Sequence, residues 1–395
     1  MSAAPSLRLL RCVLAVAQAG SAAQAGGRLH LSVSAVTRAV QQAEQELGLP
    51  LFERGARGMV CTPAGQLLVA RTARAFAELQ RGLGTTTVPR VSDTMLAALL
   101  AVAELGSEGA AAQRLGVSQP AVHGALQQLE HGARKPLFER TRRGTRLTEP
   151  GLALLRHARL ALAELRIGQD ELAAFRGLAP GRVALGVLPM AGDVLVPQAL
   201  SRLFADEPAL QVTVVDGTYE ALMHQLRHGD IDCVVGPLRG AAAMVDVAEQ
   251  MLFEEALRPV VRAGHPALST PRPPRALKAL LRWPWVGPLP GTPARAAFER
   301  GFAAAGLAVP PVVLQANSPA VVRSVLMASD AVAMLSPLQI RADLASGLLV
   351  LPAVPVRGTE RAVGVTLRRD GMPSPTCLRL LAALQVVAAA AVTGP

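Results

Sequence analysis

The chain of 395 residues has few aromatic side chains and few cysteines. Aromatic residues make up 3% of the sequence, which argues against the stacking platforms that bind RNA or single-stranded DNA. The four cysteines are widely scattered, and no two have metal-ligand spacing: Cys12, Cys61, Cys233 and Cys377. We therefore expect a reducing compartment in which they are small buried hydrophobes. A redox-sensing thiol is the alternative.

The sequence also offers no targeting or membrane-spanning segment. Residues 8–25 imitate a secretory signal, but their apolar core is short and is broken by Gln18. The tripeptide Ala-Val-Ala at Ala15 recurs at Ala101, and a segment repeated internally belongs to a fold. No apolar stretch is long enough to cross a bilayer. We expect a cytoplasmic protein without a membrane partner.

No catalytic or cofactor motif is visible. The seven histidines form no HExxH or Ser/His/Asp-type grouping, and no P-loop or GxGxxG follows a strand. His224 and His228 are four residues apart, but no third metal ligand is visible, so solvated helix positions are expected. The chain is predicted not to be an enzyme and to hold neither a cofactor nor a metal.

Positive charge, by contrast, is abundant. The formal net charge is +11, and nearly all of the positive charge is arginine. A basic excess favours an anionic partner, nucleic acid first. The base composition of a genome can by itself produce an alanine- and arginine-rich protein. The net charge is therefore evidence for nucleic-acid binding only together with a motif.

That motif lies between Leu115 and Thr148. Ser118 is a good N-cap, and Pro120 stands in the first turn, where a missing N–H costs little. Apolar residues recur at helical spacing after it, while the other face is polar. Residues 136–138 then lead into a basic loop around Gly144. This is the pattern of a winged helix-turn-helix, with a recognition helix for the major groove and a wing for the backbone.

The same pattern occurs 86 residues earlier. Ser32 matches Ser118 and Phe52 matches Phe138 at that offset (118 − 32 = 86; 138 − 52 = 86), without a gap. About half of residues 15–65 are identical to their counterparts. We infer a tandem duplication.

The segments SQPAV, LQQLE, PLFER, RG and LT of the second copy resemble the N-terminal signature of LysR-type transcriptional regulators. Residues 181–395 resemble the effector-binding domain of that family, so the resemblance covers nearly the whole chain. It implies DNA binding and a small-molecule effector. The doubled DNA-binding segment is a departure, because most members have one.

Candidate DNA contacts follow from the polar faces of the two recognition helices and from the two wings. In the first copy they are Ser32, Ser34, Thr37, Arg38, Gln41 and Arg57; in the second copy they are Ser118, Gln119, His123, Arg142, Arg143 and Arg146. The family usually has a hydroxyl residue followed by arginine where Thr37-Arg38 stands, whereas the second copy has His123-Gly124. One interpretation is that one copy binds DNA while the other supports dimerisation. The alternative is that these side chains lie on ordinary solvated helix faces and make no contact.

Each copy is followed by a long predicted helix, one from residue 62 or 63 to about 83 and one over 149–175. Both resemble the linker helix of the family, which pairs with a partner chain. Because the duplication suggests equivalent folds, the two helices are expected to pair within one chain as an internal pseudo-dimer.

From residue 182 the pattern alternates between strands and helices, which predicts parallel sheet with helices on both faces. Residues 252–261 are predicted as a single strand of the first lobe. The fold class is therefore multidomain: two largely α-helical winged helix-turn-helix domains and an α/β, two-lobed effector domain resembling periplasmic binding proteins. The predicted boundaries are 1–84, 90–178 and 180–395. The lobes are predicted at 182–262 plus 356–395, and at 266–355.

By resemblance, the effector pocket lies between the lobes, at strand ends and helix N-termini. The candidates are Leu188, Pro189, Met190, Thr218, Gly236, Pro237, Asn317, Ser318, Ser336 and Pro337. Asn317-Ser318 is the best polar element, with plain N-capping as the alternative. Met190 replaces a typical small hydroxyl residue, which argues against a carboxylate bound there.

These observations predict a LysR-type regulator that binds double-stranded DNA and an unidentified small effector and assembles as a homo-oligomer, either dimer or tetramer. The alternative is a solute-binding protein or an enzyme on the two-lobed scaffold.

Overall fold

The computed structural model describes residues 5–55, 58–141, 144–177, 181–189, 194–240, 245–269 and 274–393. It divides into two compact units, Met1–Gly181 and Arg182–Pro395. Each unit is described by itself. None of the described helices is both long enough and apolar enough to span a bilayer.

The first unit contains two winged helix-turn-helix copies in sequence. The first copy consists of α1 (Leu7–Ala19), α2 (Ala22–Leu29), α3 (Val33–Leu47), β1 (Phe52–Gly55), β2 (Gly58–Cys61) and α4 (Pro63–Leu83). The second consists of α5 (Asp93–Leu105), α6 (Glu108–Leu115), α7 (Gln119–Ala133), β3 (Phe138–Thr141), β4 (Gly144–Leu147) and α8 (Glu149–Phe175). Each strand pair is an antiparallel wing. The predicted helices are confirmed, with ends that differ by a residue or two.

The same contacts between a glutamate side chain and the backbone occur within each copy. Glu44 on α3 accepts from the amides of Leu51 and Phe52 at 2.8 and 3.2 Å. Glu130 on α7 accepts from Leu137 and Phe138 at 2.9 and 3.2 Å. Each carboxylate thereby fixes the first residues of its wing to its recognition helix. The duplicated sequence folds the same way twice because these contacts are duplicated with it.

Close backbone approaches are repeated too. Gly58 has φ +112°, and a Cβ there would stand 2.5 Å from the carbonyl oxygen of Gly20. Gly144 has φ +123°, and its Cβ would stand 2.3 Å from the carbonyl oxygen of Gly106. Only glycine allows this contact between the wing and the residue that caps the C-terminus of α1 or α5.

The two long helices α4 and α8 pack against each other over most of their length. The guanidinium of Arg71 is buried and bonds Glu164 at 2.8 Å and Glu171 at 2.5 Å. Further along, Gly82 faces Leu154 on α8. Residues later in α4 contact residues earlier in α8, so the two helices are antiparallel. One continuous apolar core includes residues from both copies, from Leu7 to Leu172. The prediction of an internal pseudo-dimer is confirmed.

The second unit has two α/β lobes, each built on a five-stranded sheet. The first lobe contains β5 (Arg182–Val187), α9 (Leu195–Asp206), β6 (Gln211–Asp216), α10 (Tyr219–His228), β7 (Cys233–Pro237), β8 (Val247–Ala256), β14 (Glu360–Arg368) and α14 (Pro375–Thr393). The second contains β9 (Arg258–Arg262), a 3-10 turn at Leu277–Leu280, β10 (Trp285–Gly287), α11 (Pro293–Ala304), β11 (Val312–Gln315), α12 (Pro319–Ala328), β12 (Val332–Leu335), α13 (Arg341–Ala345) and β13 (Leu349–Val350).

Sheet pairing corrects three predictions. The single strand predicted over 252–261 is wrong, because the chain leaves the first sheet at Ala256 and enters the second at Arg258. Residues 258–262, which the predicted division placed in the first lobe, therefore pair in the second. The sheets are also mixed rather than all parallel. In the first, with order β6-β5-β7-β14-β8, strand β14 runs antiparallel to both neighbours.

Candidate functional site

The recognition helix of the first copy presents a polar face. Ser32 caps α3 by accepting from the amide of Ala35 at 3.2 Å, and its hydroxyl lies 3.1 Å from that of Ser34. Thr37 is half-buried and donates to the carbonyl of Val33 at 2.9 Å. Arg38 and Gln41 are exposed. All five predicted α3 contacts therefore lie on one helix, with a guanidinium available for a base edge or a phosphate.

The recognition helix of the second copy is less basic. Ser118 caps α7, with its hydroxyl 3.4 Å from the amide of Ala121, and Gln119 is exposed. The imidazole of His123 lies 3.1 Å from the carboxylate of Glu108 at the start of α6, and its side chain is 40% exposed. That partner is a contact the sequence did not indicate, and it puts a carboxylate beside the reading helix.

The wings differ in charge. Arg146 on β4 is exposed, whereas its counterpart on β2 is Val60, which is 55% exposed. Arg140 on β3 is also largely exposed and lies 3.9 Å from Glu108. The other predicted wing residues, Arg57, Arg142 and Arg143, lie outside the described residues.

Within the second unit, a cavity of about 460 Å³ lies between the two lobes. Three helices begin at its wall, each capped by a hydroxyl: Thr218 for α10, Thr292 for α11 and Ser318 for α12. Their first-turn amides are hydrogen-bond donors with the positive end of the helix dipole behind them. Apolar residues such as Leu257 and Val286 line much of the rest.

Six of the ten predicted effector contacts line this cavity: Leu188, Pro189, Thr218, Pro237, Asn317 and Ser318. Three are not among the lining residues: Gly236, Ser336 and Pro337. Ser336 is fully buried, and its hydroxyl donates to the carboxylate of Glu255. Met190 lies outside the described residues.

Two arginines on the cavity wall were not predicted from the sequence. The guanidinium of Arg239 stacks over the ring of Tyr219 at 3.7 Å, and burial raises the pKa of that phenol. Arg361 on β14 bonds Glu255 at 2.6 Å, with both side chains 7% exposed. Nothing local marked Arg361, because β14 joins this sheet from the far end of the chain. Thr292-Pro293 repeats the hydroxyl-proline helix start of Ser318-Pro319 and was detectable.

The cysteines are held as free thiols. Cys12, Cys233 and Cys377 are buried, and Cys61 is partly buried. A hydrogen bond with Cys377, together with burial, raises the pKa of Cys233 well above its ordinary value. The described residues contain no group of three or more His, Cys, Asp or Glu side chains that could hold a metal ion.

Comparisons with known proteins assign both units. Residues 7–66 and 94–152 each match the family described as "Bacterial regulatory helix-turn-helix protein, lysR family", and residues 176–389 match "LysR substrate binding domain". The HTH-type transcriptional regulator GalR of Pseudomonas putida is 35% identical over 389 residues, which are 97% of each chain. The regulator PcaQ of Agrobacterium fabrum is 33% identical over 299 residues, 76% of this chain and 96% of its own.

Two solved structures have the same fold. ArgP from Mycobacterium tuberculosis matches with a TM-score of 0.56 at 20% identity, covering 74% of this chain and 96% of its own. CbnR matches with a TM-score of 0.52 at 22% identity, covering 74% and 98%. The PcaQ relative and both structures leave about a quarter of this chain unmatched, whereas the GalR relative spans nearly all of it.

Proposed function

The chain belongs to the LysR family of transcriptional regulators, and from that premise we propose that one chain supplies a complete two-headed unit for binding double-stranded DNA. Regulators of this family bind DNA and a small-molecule effector and form homo-oligomers. The chain is a regulator of that kind and not an enzyme. Because its partner is DNA, we place it in the cytoplasm.

The single observation that carries the proposal is the pairing of α4 with α8 inside one chain. In the family, a linker helix pairs with that of a partner chain. Here both linker helices belong to the same polypeptide, and the buried bonds of Arg71 to Glu164 and Glu171 join them. The two recognition helices are thereby held in one body, without a second chain.

Within that body we assign base reading chiefly to the first copy. The exposed Arg38 and Gln41 are the side-chain types that pair with guanine and adenine edges. In the second copy, Ser118, Gln119 and His123 are the candidate contacts, and Arg146 on the wing neutralises phosphate charge.

The inter-lobe cavity is the proposed effector site. Three helix N-termini and the guanidinium of Arg239 favour a ligand with an anionic or hydrogen-bond-accepting group, and the apolar wall favours a small carbon skeleton. The chain's two tryptophans, Trp283 and Trp285, both lie in the second lobe, and Trp285 precedes the wall residue Val286. A ligand against that wall should therefore change their fluorescence.

DNA binding is tested by fluorescence anisotropy with a labelled duplex from the chain's own promoter, at several salt concentrations. Affinity should fall steeply with salt. Arg38→Ala should weaken it by about tenfold or more, the value of a lost base contact. Arg202→Ala removes the same charge from an exposed position on α9 in the second unit and should change little. Salt-insensitive behaviour without duplex affinity would contradict the proposal.

The effector site is tested by a thermal-shift screen of small organic acids, followed by tryptophan titration. A bound ligand should raise the Tm of the second unit. Asn317→Ala should lower the affinity for that ligand, whereas Gln198→Ala, at an exposed position of α9, should leave the affinity unchanged. Equal affinity in the two variants would remove Asn317 from the site.

A further inference from the structure

The bonds between α4 and α8 come in pairs, and the two bonds of a pair are related by interchanging the two copies. Arg71 of the first copy bonds Glu164 of the second at 2.8 Å. At the offset of 86, Arg71 corresponds to His157 and Glu164 to Glu78 (71 + 86 = 157; 164 − 86 = 78). His157 bonds Glu78, also at 2.8 Å. Residue i of one copy meets j of the other, and j meets i, which is the signature of a two-fold interface.

Two further contacts obey the same rule. A Cβ on Gly82 would stand 2.9 Å from the Cβ of His157, and one on Gly168 would stand 3.0 Å from the Cβ of Arg71. The amide of Leu7 lies 3.2 Å from the carboxylate of Asp93, and these positions are themselves 86 apart. A residue that meets its own counterpart lies beside the axis. The first unit therefore has an internal pseudo-two-fold axis.

That axis sets both recognition helices in equivalent places. Ser32 and Ser118 cap them with the same hydroxyl-to-amide contact. Glu44 and Glu130 tie them to their wings through the same two amides. Both helices are therefore presented to a duplex in the same way, as in a symmetric dimer, whose identical heads read identical half-sites.

The side chains on the two heads are not identical. Where α3 has the exposed Arg38, α7 has Gly124, and a Cβ on that glycine would meet no atom within 4 Å, so the space is open. Where α3 has Thr37, α7 has His123 bound to Glu108. Two neighbouring pairs differ as well: Val33 against Gln119, and Ser34 against Pro120. The scaffold is symmetric, whereas the reading surface is not.

We propose that this chain recognises a DNA site composed of two unlike half-sites and binds it in one orientation. The inference rests on the proposed function and goes beyond it by naming the class of site. The half-site under α3 contains a guanine read by Arg38. The half-site under α7 is read without an arginine. Because the heads are joined in one chain, their order is fixed, and the bound protein points in one direction along the duplex.

The test is selection of binding sites by the full-length chain from a pool of random duplexes. The expected product is a motif with two different halves, centred about one helical turn apart. An enriched inverted repeat would overturn the inference while leaving the proposed function intact. Enrichment of no duplex would overturn both.

A symmetrised variant sharpens the result. It places the α3 reading residues on α7 of the full-length chain through four substitutions: Gln119→Val, Pro120→Ser, His123→Thr and Gly124→Arg. This variant should prefer an inverted repeat of the α3 half-site over the natural site by about tenfold or more. The matched control is Gln128→Ala, an exposed change on α7 outside the four substituted positions, which should keep the unlike halves.

If the four-substitution variant keeps its far-UV circular dichroism and still selects the unlike site, the reading roles assigned to α3 and α7 are wrong. If it loses its fold, the single change Gly124→Arg serves instead, because the space there is open. That variant should acquire a guanine in the second half-site, and an unchanged second half-site would overturn the proposal.

Discussion

The two winged copies agree in their interiors and differ on their reading faces. Glu44 and Glu130 make the same two bonds, whereas Arg38 faces solvent where the second copy has Gly124. Both carboxylates are half-buried, and loss of either would leave two backbone amides without their partner, so changes there are destabilising. An exposed position has no such constraint. The duplication has therefore preserved the scaffold, while the DNA-reading surface has diverged.

The two halves of the linker interface also differ in strength. Arg71 is 1% exposed and bonds two carboxylates, and although burial alone would lower its pKa, the bonds to Glu171 and Glu164 outweigh that effect and raise it. His157 has 14% side-chain exposure and bonds only Glu78 among the pairs above. Glu78 also pairs with Arg81, so it retains a cation if the histidine is removed.

The largest expected effect comes from breaking these counterpart bonds one at a time. Arg71→Leu removes the buried cation of Glu171 and leaves Glu164 only the longer contact to Arg74, at 3.4 Å. It should cost about 3–5 kcal/mol of unfolding free energy. His157→Leu should cost about 1 kcal/mol, the value of one hydrogen bond. Urea unfolding followed by circular dichroism measures both, while tryptophan fluorescence follows the second unit separately, because Trp283 and Trp285 lie there.

The control for this pair is Arg166→Leu, a partly exposed position on α8 whose partner Asp170 lies 3.9 Å away. It should cost less than about 1 kcal/mol. If Arg71→Leu and His157→Leu lowered the unfolding free energy equally, the two halves of the interface would contribute equally, which contradicts this expectation.

A smaller effect is expected at the wings. Arg146→Ala should weaken duplex binding about fivefold and reduce the slope of log affinity against log salt by about one. The counterpart change Val60→Arg should strengthen binding and raise that slope by a similar amount. Anisotropy titrations over a salt series measure both. An unchanged slope in the two variants would remove these positions from the phosphate contacts.

The smallest expected effect concerns the carboxylate beside α7. Glu108→Ala should strengthen duplex binding about threefold, because it removes a negative charge that lies beside the recognition helix and repels phosphate. Ala22→Glu, the counterpart change in the first copy, should weaken binding to a similar degree. Glu220→Ala also removes a first-turn glutamate, but from α10 in the second unit, and should leave DNA affinity unchanged. Weaker binding by Glu108→Ala would instead assign the carboxylate to positioning His123.

Much of the first unit could be predicted, because one copy checks the other. The gapless offset placed α4 and α8 to within a residue or two, and it predicted their pairing. It did not reveal that Glu108 holds His123, since the counterpart of Glu108 is Ala22 and no repeat supports the contact. A contact present in only one copy leaves no periodic or duplicated signal.

The second unit was less predictable because its contacts are made between distant segments. No glycine, asparagine, aspartate or serine stands between Leu252 and Val261, so no turn signal marked the passage between sheets at Leu257. Arg361 reaches the cavity from a strand that returns at the end of the chain. By contrast, Thr218 and Ser318 were named from the family resemblance, and each also carries a local signal, a hydroxyl that caps a helix after a strand.

Pairing of the two copies inside one chain is tested most directly by sedimentation velocity of residues 1–181. That segment is one compact unit with one core that spans both copies. We expect the mass of a single chain at every concentration and the frictional ratio of a compact protein. A two-chain mass, or a single chain with the drag of two unpaired copies, would contradict it.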